Sequence, residues 1–184
     1  MSIEKYTTSC IVIESFAQGE NDRVYKLFTR EFGLIMVHAK SIRKLGSKLR
    51  AHIMPRSVAL VTLVQGKEVW RLVGAEEKKR NSEIIHEVTA LISRFIRGEG
   101  EHKVLYDRVV SFLDEAKHYD IQKIRILLYF IILTELGYAD VKIIGAKSMK
   151  EYLSWNINDL YTHLLLVEKN VKAHIHAVLQ EMQL

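Results

Sequence analysis

Apolar residues recur at alternate positions through the first part of the chain and at helical spacing through the rest. Tyr6–Phe16 is rich in Thr, Ile and Val, and Gln18-Gly19-Glu20-Asn21-Asp22 follows as a run of turn formers. Arg23–Arg30 carries Val, Tyr, Phe and Thr and reads as a second strand. Glu31-Phe32-Gly33 turns the chain into a third strand over Leu34–Ile42. Lys44–Pro55 has neither period and holds the only proline. Ser57–Val64 and Val69–Ala75 read as two more strands, joined near Gln65-Gly66-Lys67. Five short strands with a long connection after the third predict a five-stranded Greek-key barrel of the OB type. An SH3-like barrel has a similar strand count, and the insertion after strand three favours the OB arrangement.

From Ser82 the period becomes 3.6. Ile84, Ile85, Val88, Leu91, Ile92, Phe95 and Ile96 mark one helical face, with Ser82 as the cap and Gly98-Glu99-Gly100 as the break. A second helix turns Leu105, Val109, Phe112, Leu113 and Ala116 inward. Asp120 caps a third, apolar nearly all round from Ile124 to Leu136 and stopped by Gly137, a pattern that predicts the buried centre of a bundle. Ser148 and Glu151 have capping-box spacing for a short fourth helix; Asn156 and Asp159 repeat it less well before Leu160–Val167. Asn170 is expected to break or recap the chain before a last helix lined by Ile175, Val178, Leu179 and Met182. The fold class is α+β: a barrel domain over residues 1–80 and an all-helical domain over 81–184, with Glu76–Asn81 as the boundary.

Charge sharpens this division. Residues 1–80 hold 15 Lys and Arg against 8 Asp and Glu, whereas residues 81–184 hold 12 against 14. Phe32 to Lys67 contains no acid at all but carries Lys40, Arg43, Lys44, Lys48, Arg50, Arg56 and Lys67. Cations without internal counter-charge build a positive field, and its commonest ligand is a polyanion. Membrane binding and plain solubility are the other uses of such an excess. Alternation places Met36, His38, Lys40 and Ile42 on one face of strand three, and Val24, Lys26, Phe28 and Arg30 on one face of strand two. Cations flanking an aromatic suit single-stranded nucleic acid, with phosphate meeting the cation and a base stacking on the ring. Taken alone, Phe28 reads as core.

Other chemistry finds less support. Cys10 is the only cysteine and lies in an apolar run, which excludes an intrachain disulfide and a cysteine-cluster metal site. His174 and His176 are two apart on a helix and so face different ways. Neither a phosphate-cradling glycine loop nor a nucleophile triad is present, and no catalytic residue, metal or cofactor is expected. Trp70 and Trp155 read as core or contact residues. The longest apolar run, Ile126 to Leu133, is far short of the roughly 20 residues that span a bilayer. No secretory signal opens the chain, and a soluble cytoplasmic setting without a membrane partner is expected.

One ordered string is more specific. Tyr6-Thr7 and Ile11-Val12-Ile13 lead to Gly19-Glu20-x-Asp22-Arg23. Leu27 to Leu34, Ala39-Lys40-Ser41-Ile42-Arg43-Lys44 and Ser47-Lys48-Leu49-Arg50 follow. This string, over roughly residues 5–75, closely resembles the N-terminal region of the RecO family of bacterial recombination mediators. The resemblance implies an OB-fold followed by a helical domain. It also implies recombinational repair: binding single-stranded DNA, annealing complementary strands, and helping a recombinase load onto DNA coated with single-strand-binding protein. The partners implied are RecR and the acidic C-terminal tail of single-strand-binding protein. The family's basic barrel surface maps onto Arg23, Arg30, Lys40, Arg43, Lys44, Lys48, Arg50 and Arg56. Three features depart from the family: no cysteines stand in Tyr138–Ala146, where many members hold zinc; Ser41 takes the place of the usual glycine; and the second half is shorter, so no residues are carried over for the tail contact. The rival readings are an OB-type RNA binder, an enzyme at the domain junction, and a protein-interaction scaffold whose basic charge is incidental.

Overall fold

The computed structural model describes residues 4–66, 69–80, 83–96 and 98–181. Ser82, Met182 and Lys67, assigned above to a cap, a helix face and the basic stretch, lie outside them, as does Asn81 of the boundary segment. The chain divides into one unit ending at Tyr106 and a second beginning at Asp107.

In the first unit β1 (Lys5–Gln18), β2 (Asp22–Thr29), β3 (Gly33–Ala39), β4 (Ser57–Gln65) and β5 (Trp70–Arg80) close a barrel in the order β1-β2-β3-β5-β4. All neighbours are antiparallel except β3 and β5, which run parallel with Val37 opposite Trp70 and His38 opposite Arg71. The long first strand pairs with β2 on one side and β4 on the other, from Lys5 opposite Val64 to Val12 opposite Ser57. This is the OB arrangement expected from the strand pattern.

Alternation fills the interior. Cys10, Val12, Leu27, Ile35, Val37, Val61 and Leu63 are buried in one cluster with Trp70 and Leu72. The Cys10 thiol is fully buried, and desolvation pushes its pKa from about 9 up to about 12. An irregularity between Val12 and Glu14 slips the β1–β2 register by one residue, so Ser15, not Glu14, stands opposite inward-facing Tyr25.

Outward residues of β1 and β2 are treated in two ways. Ile11, Ile13 and Phe28 are buried but do not belong to the interior cluster. The helix α1 (Glu83–Phe95) lies against β1, and the Phe28 ring meets Tyr106, its centroid 5.8 Å away. Tyr106 Oη and Ser9 Oγ are 2.7 Å apart. Phe28 is therefore a core residue and not a stacking platform. The first unit thus extends beyond the end of β5 to Tyr106. Farther along the chain, Gly33 (φ 67°) lies so near Gly100 that an added Cβ would overlap its backbone.

The helical elements are α2 (Lys103–Glu115), α3 (Ile121–Glu135), α4 (Met149–Ser154) and α5 (Ile157–Glu181), of which α2 crosses from the first unit into the second. Asp120 caps α3 by accepting from the Gln122 and Lys123 amides, and α3 buries Ile124, Leu127, Leu128 and Phe130–Thr134. At its end Tyr138 N–H donates to Leu133 O and Gly137 N–H to Thr134 O, with Gly137 at φ 81°. That closure needs the left-handed conformation glycine adopts freely. The reciprocal capping box forms at Asn156 and Asp159, the pair whose spacing looked poorer: each side chain accepts the other's backbone N–H at 3.0 Å. At Ser148 the box is displaced, because Glu151 accepts from the Lys147 amide. The expected break at Asn170 is absent. The non-helical residue within α5 is Val167, at φ −127° and ψ 19°.

Candidate nucleic-acid interface

The β3–β4 connection is amphipathic without being regular. Ile42 and Ile53 are buried in the barrel interior and Leu49 packs against it, while Arg43, Lys44, Lys48, Arg50 and Arg56 stay exposed. Truncating a buried isoleucine to alanine costs about 2–5 kcal/mol, so two such anchors tie the segment firmly to one barrel end. Lys48–His52 forms a single 3-10 turn between them.

Local hydrogen bonds set the entry to this connection. The Asp22 carboxylate accepts Ser41 N–H at 2.7 Å, and Arg43 N–H donates to Asn21 O at 2.9 Å. The Arg43 guanidinium donates to Gly19 O at 3.0 Å. The β1–β2 turn and the β3–β4 connection are thereby clasped together. Ser41 sits at φ 55°, in the left-handed region, which gives a backbone reason for the glycine usual at this position in the family. The turn also overturns the expected third-strand face. Strand β3 ends at Ala39, Lys40 lies in the turn, and Ile42 points into the core instead of sharing a face with Met36 and His38.

Beneath the connection is a cleft of about 500 Å³ lined by Ser15, Arg23, Tyr25, Ile42, Arg43, Arg50, Ile53, Met54 and Pro55. Three guanidinium groups share this lining with no carboxylate. The Tyr25 phenol has its pKa raised by burial, with the Arg23 and Arg50 charges pulling the other way, so its hydroxyl lies in the field of both. Arg23 Nε–H is buried without an acceptor among the described residues. A buried donor left unpaired costs about 1–3 kcal/mol, a penalty that an anion entering the cleft relieves. Phosphate oxygens match this chemistry: guanidinium forks bind them bidentately, and the phenol donates one further hydrogen bond.

The structure gathers Arg23, Arg43 and Arg50 at this mouth. Lys40, Lys44 and Lys48 are exposed on the same connection, and Arg56 is exposed where it enters β4, at φ 63° with its N–H donated to Val12 O. Arg30 is not brought to the cleft. It lies in the turn just beyond β2, seven residues after Arg23 and about 23 Å away at strand rise. There it is paired with Glu31 at 3.1 Å, and Glu31 also accepts from Thr8 Oγ. Lys26 is engaged too, with Glu14 at 3.3 Å and Ser93 Oγ at 2.8 Å. The face of β2 that reaches the cleft is thus the Arg23–Tyr25 face, not the Lys26–Arg30 face. Ser15 and Tyr25 were missed. The signal available for Tyr25 was its two-residue spacing from Arg23; Ser15 reaches the site only through the register slip. Of the other aromatics, Trp70 packs in the barrel interior and Trp155 stacks on His163, centroids 3.9 Å apart.

Among the described residues, no group of three His, Cys, Asp or Glu side chains is placed to hold a metal ion, and no helix is long and apolar enough to cross a membrane. His174 meets Tyr138 O and His176 meets Gln180, each a different partner.

Comparison with known proteins agrees with the barrel. Residues 1–79 match the family model described as Recombination protein O N terminal. A DNA repair protein RecO of Dehalococcoides mccartyi is 35% identical over 71 residues, 39% of this chain and 28% of that protein. The RecO of Syntrophotalea carbinolica is 27% identical over 149 residues, 74% of this chain and 58% of that protein. That of Desulfitobacterium hafniense is 39% identical over 64 residues, 35% of this chain and 23% of that protein. The matched span is thus less than two thirds of each of these relatives.

Proposed function

We propose that this chain, which belongs to the RecO family by its N-terminal domain, binds single-stranded DNA at the barrel mouth and promotes annealing of complementary strands during recombinational repair. The observation that carries the reading is the acid-free cleft in which Arg23, Arg43 and Arg50 converge beneath a basic connection. Cations that hold the phosphates screen the repulsion between two strands and leave their bases free to pair. That role needs no bond to be made or broken, and the protein is proposed to act without catalysis, in the cytoplasm. Assistance to a recombinase on DNA coated with single-strand-binding protein, and contact with RecR, belong to the same proposal and rest on the family resemblance.

The acidic tail of single-strand-binding protein is proposed as a partner of the helical unit. This part of the proposal rests on the family resemblance alone, because the cleft of about 240 Å³ in the helical unit is lined by Asp107 and Glu115 as well as by Phe112, Trp155 and Leu160, and its Arg108 is already engaged by Glu135 and Tyr152 O.

The test is a salt titration of binding to labelled single-stranded DNA, duplex and RNA of equal length. If about four to six phosphates are neutralised, log K falls against log salt with a slope of roughly −3 to −4 on single strands. A flat salt dependence, or absence of binding at low salt, refutes the reading; preference for RNA replaces it with the RNA-binding one. For the tail, amidation of the peptide's terminal carboxylate is expected to abolish binding.

A further inference from the structure

The basic mouth accounts for phosphates and leaves a strip on the outside of the same strands without a role. Tyr25, Val37, Ala39, Trp70 and Leu72 face the interior, so alternation turns Val24, His38 and Arg71 outward. The register aligns them. Phe16 stands opposite Val24, Val24 opposite His38, and His38 opposite Arg71. Four strands therefore present one continuous row, about 14 Å long at ordinary strand spacing.

Burial along this row contrasts with the outer surface around Phe28. Phe16 is 48% exposed and Met36, next along β3 from His38, is 46% exposed. The other outward aromatic of the β1–β2 pair, Phe28, is completely buried behind Tyr106. A phenylalanine ring half in water beside a valine, an imidazole and a guanidinium is poor as core and good as a surface for flat rings. The row ends near the phosphate cleft, because Phe16 lies three residues before Gly19, whose carbonyl accepts from the cleft-lining Arg43 guanidinium. Its four members include no acid.

We infer that this outer row is a base-stacking platform for single-stranded nucleic acid, with Phe16 and His38 receiving about two bases and Arg71 meeting the adjoining backbone. The inference rests on the proposed DNA site and adds its selectivity. The mouth holds phosphates, which single strands and duplexes share. The row holds base faces, which a duplex keeps stacked inside.

The experiment uses the full chain with labelled oligothymidine and a duplex of equal length, across a salt series. Phe16→Ala is expected to weaken single-strand binding about tenfold or more, to change duplex binding less than twofold, and to leave the salt slope unaltered. Phe16→Trp keeps a stacking face and is expected to retain or strengthen single-strand binding, which separates stacking from a folding defect. A folded Phe16→Ala protein that binds oligothymidine like the wild type overturns the platform while leaving the mouth intact, provided the wild type still shows its salt slope. Equal losses on single strand and duplex overturn it as well. Absence of salt-dependent binding by the wild type defeats the underlying reading and the platform with it.

Discussion

Arg23 and Arg30 are the same residue type at opposite ends of β2, the first within the strand and the second just beyond its last residue, with opposite fates. At one end Arg23 meets Arg43 and Arg50 around a cleft without a carboxylate. At the other, Arg30 is neutralised by Glu31, its neighbour in sequence. A count of cations treats the two alike. A positive field depends on where acids stand in space: at the β3–β4 end Asp22 is turned to the Ser41 amide and the cleft lining holds no carboxylate, whereas Arg30 meets one directly.

The largest expected effect comes from reversing that connection. Arg43, Lys44, Lys48 and Arg50 changed together to Glu should lower single-strand affinity more than 100-fold, flatten the salt slope towards zero and abolish annealing, measured by anisotropy and by pairing of labelled strands. Reversal of Lys142, Lys147 and Lys150 in the helical unit should leave annealing largely intact. The opposite pattern would move the DNA site off the barrel.

Single substitutions sharpen the contrast within β2. Arg23→Ala should weaken single-strand binding about tenfold and reduce the salt slope by about 0.7. Arg30→Ala should change affinity less than twofold, since Glu31 already offsets its charge. Equal effects at the two positions would dissolve the comparison.

A smaller effect concerns how the mouth is held in shape. Ser41 sits in the left-handed region, where a β-branched side chain costs about 1–3 kcal/mol, so Ser41→Val should lower unfolding free energy by that amount. Ser41→Gly should stay within about 0.5 kcal/mol, because relieved backbone strain offsets added freedom in the unfolded chain. Urea unfolding followed by circular dichroism measures both.

The smallest effect is a control that both ends should share. Cys10, buried between them with a pKa of about 12, should remain unreactive to thiol reagents at pH 8 in every folded variant above. Its folded pKa is raised, so its contribution to stability is present below about pH 9 and is lost as pH rises towards 12. Rapid labelling at pH 8 in a variant would mean that the barrel had opened and that its binding defect was not local.

Much of the architecture was legible because period and burial agree. The five strands and the buried α3 follow directly from spacing, and Asp120 caps where its carboxylate predicts. The site was legible as a stretch but not as a geometry. Arg43 and Arg50 were visible in an acid-free run, whereas the inward turn of Arg23 depends on which face of β2 meets the cleft. Ser15 depends on the register slip beyond Val12, a one-residue shift that no periodicity announces. Phe28 illustrates the converse: it alternates outward as a platform would, and only packing from residues far along the chain buries it. The kink at Val167 falls in a run of good helix positions, and we find no local cause for it.

The double pairing of β1 also governs how the protein comes into being. Its first partner, β2, emerges almost at once, but its second, β4, lies about fifty residues later, with Val12 opposite Ser57 and Lys5 opposite Val64. At a translation rate of about 5–20 residues per second, β1 waits several seconds with one edge open. That edge holds Cys10-Ile11-Val12-Ile13, an apolar β-forming run of the kind that pairs with other chains when left exposed. Helical segments, whose contacts are local, face no comparable delay. Lys5 and Glu14, which flank the run, are charges placed where they discourage that mispairing. The strand made first thus waits longest for its second partner, and its open edge is most exposed to mispairing during that interval.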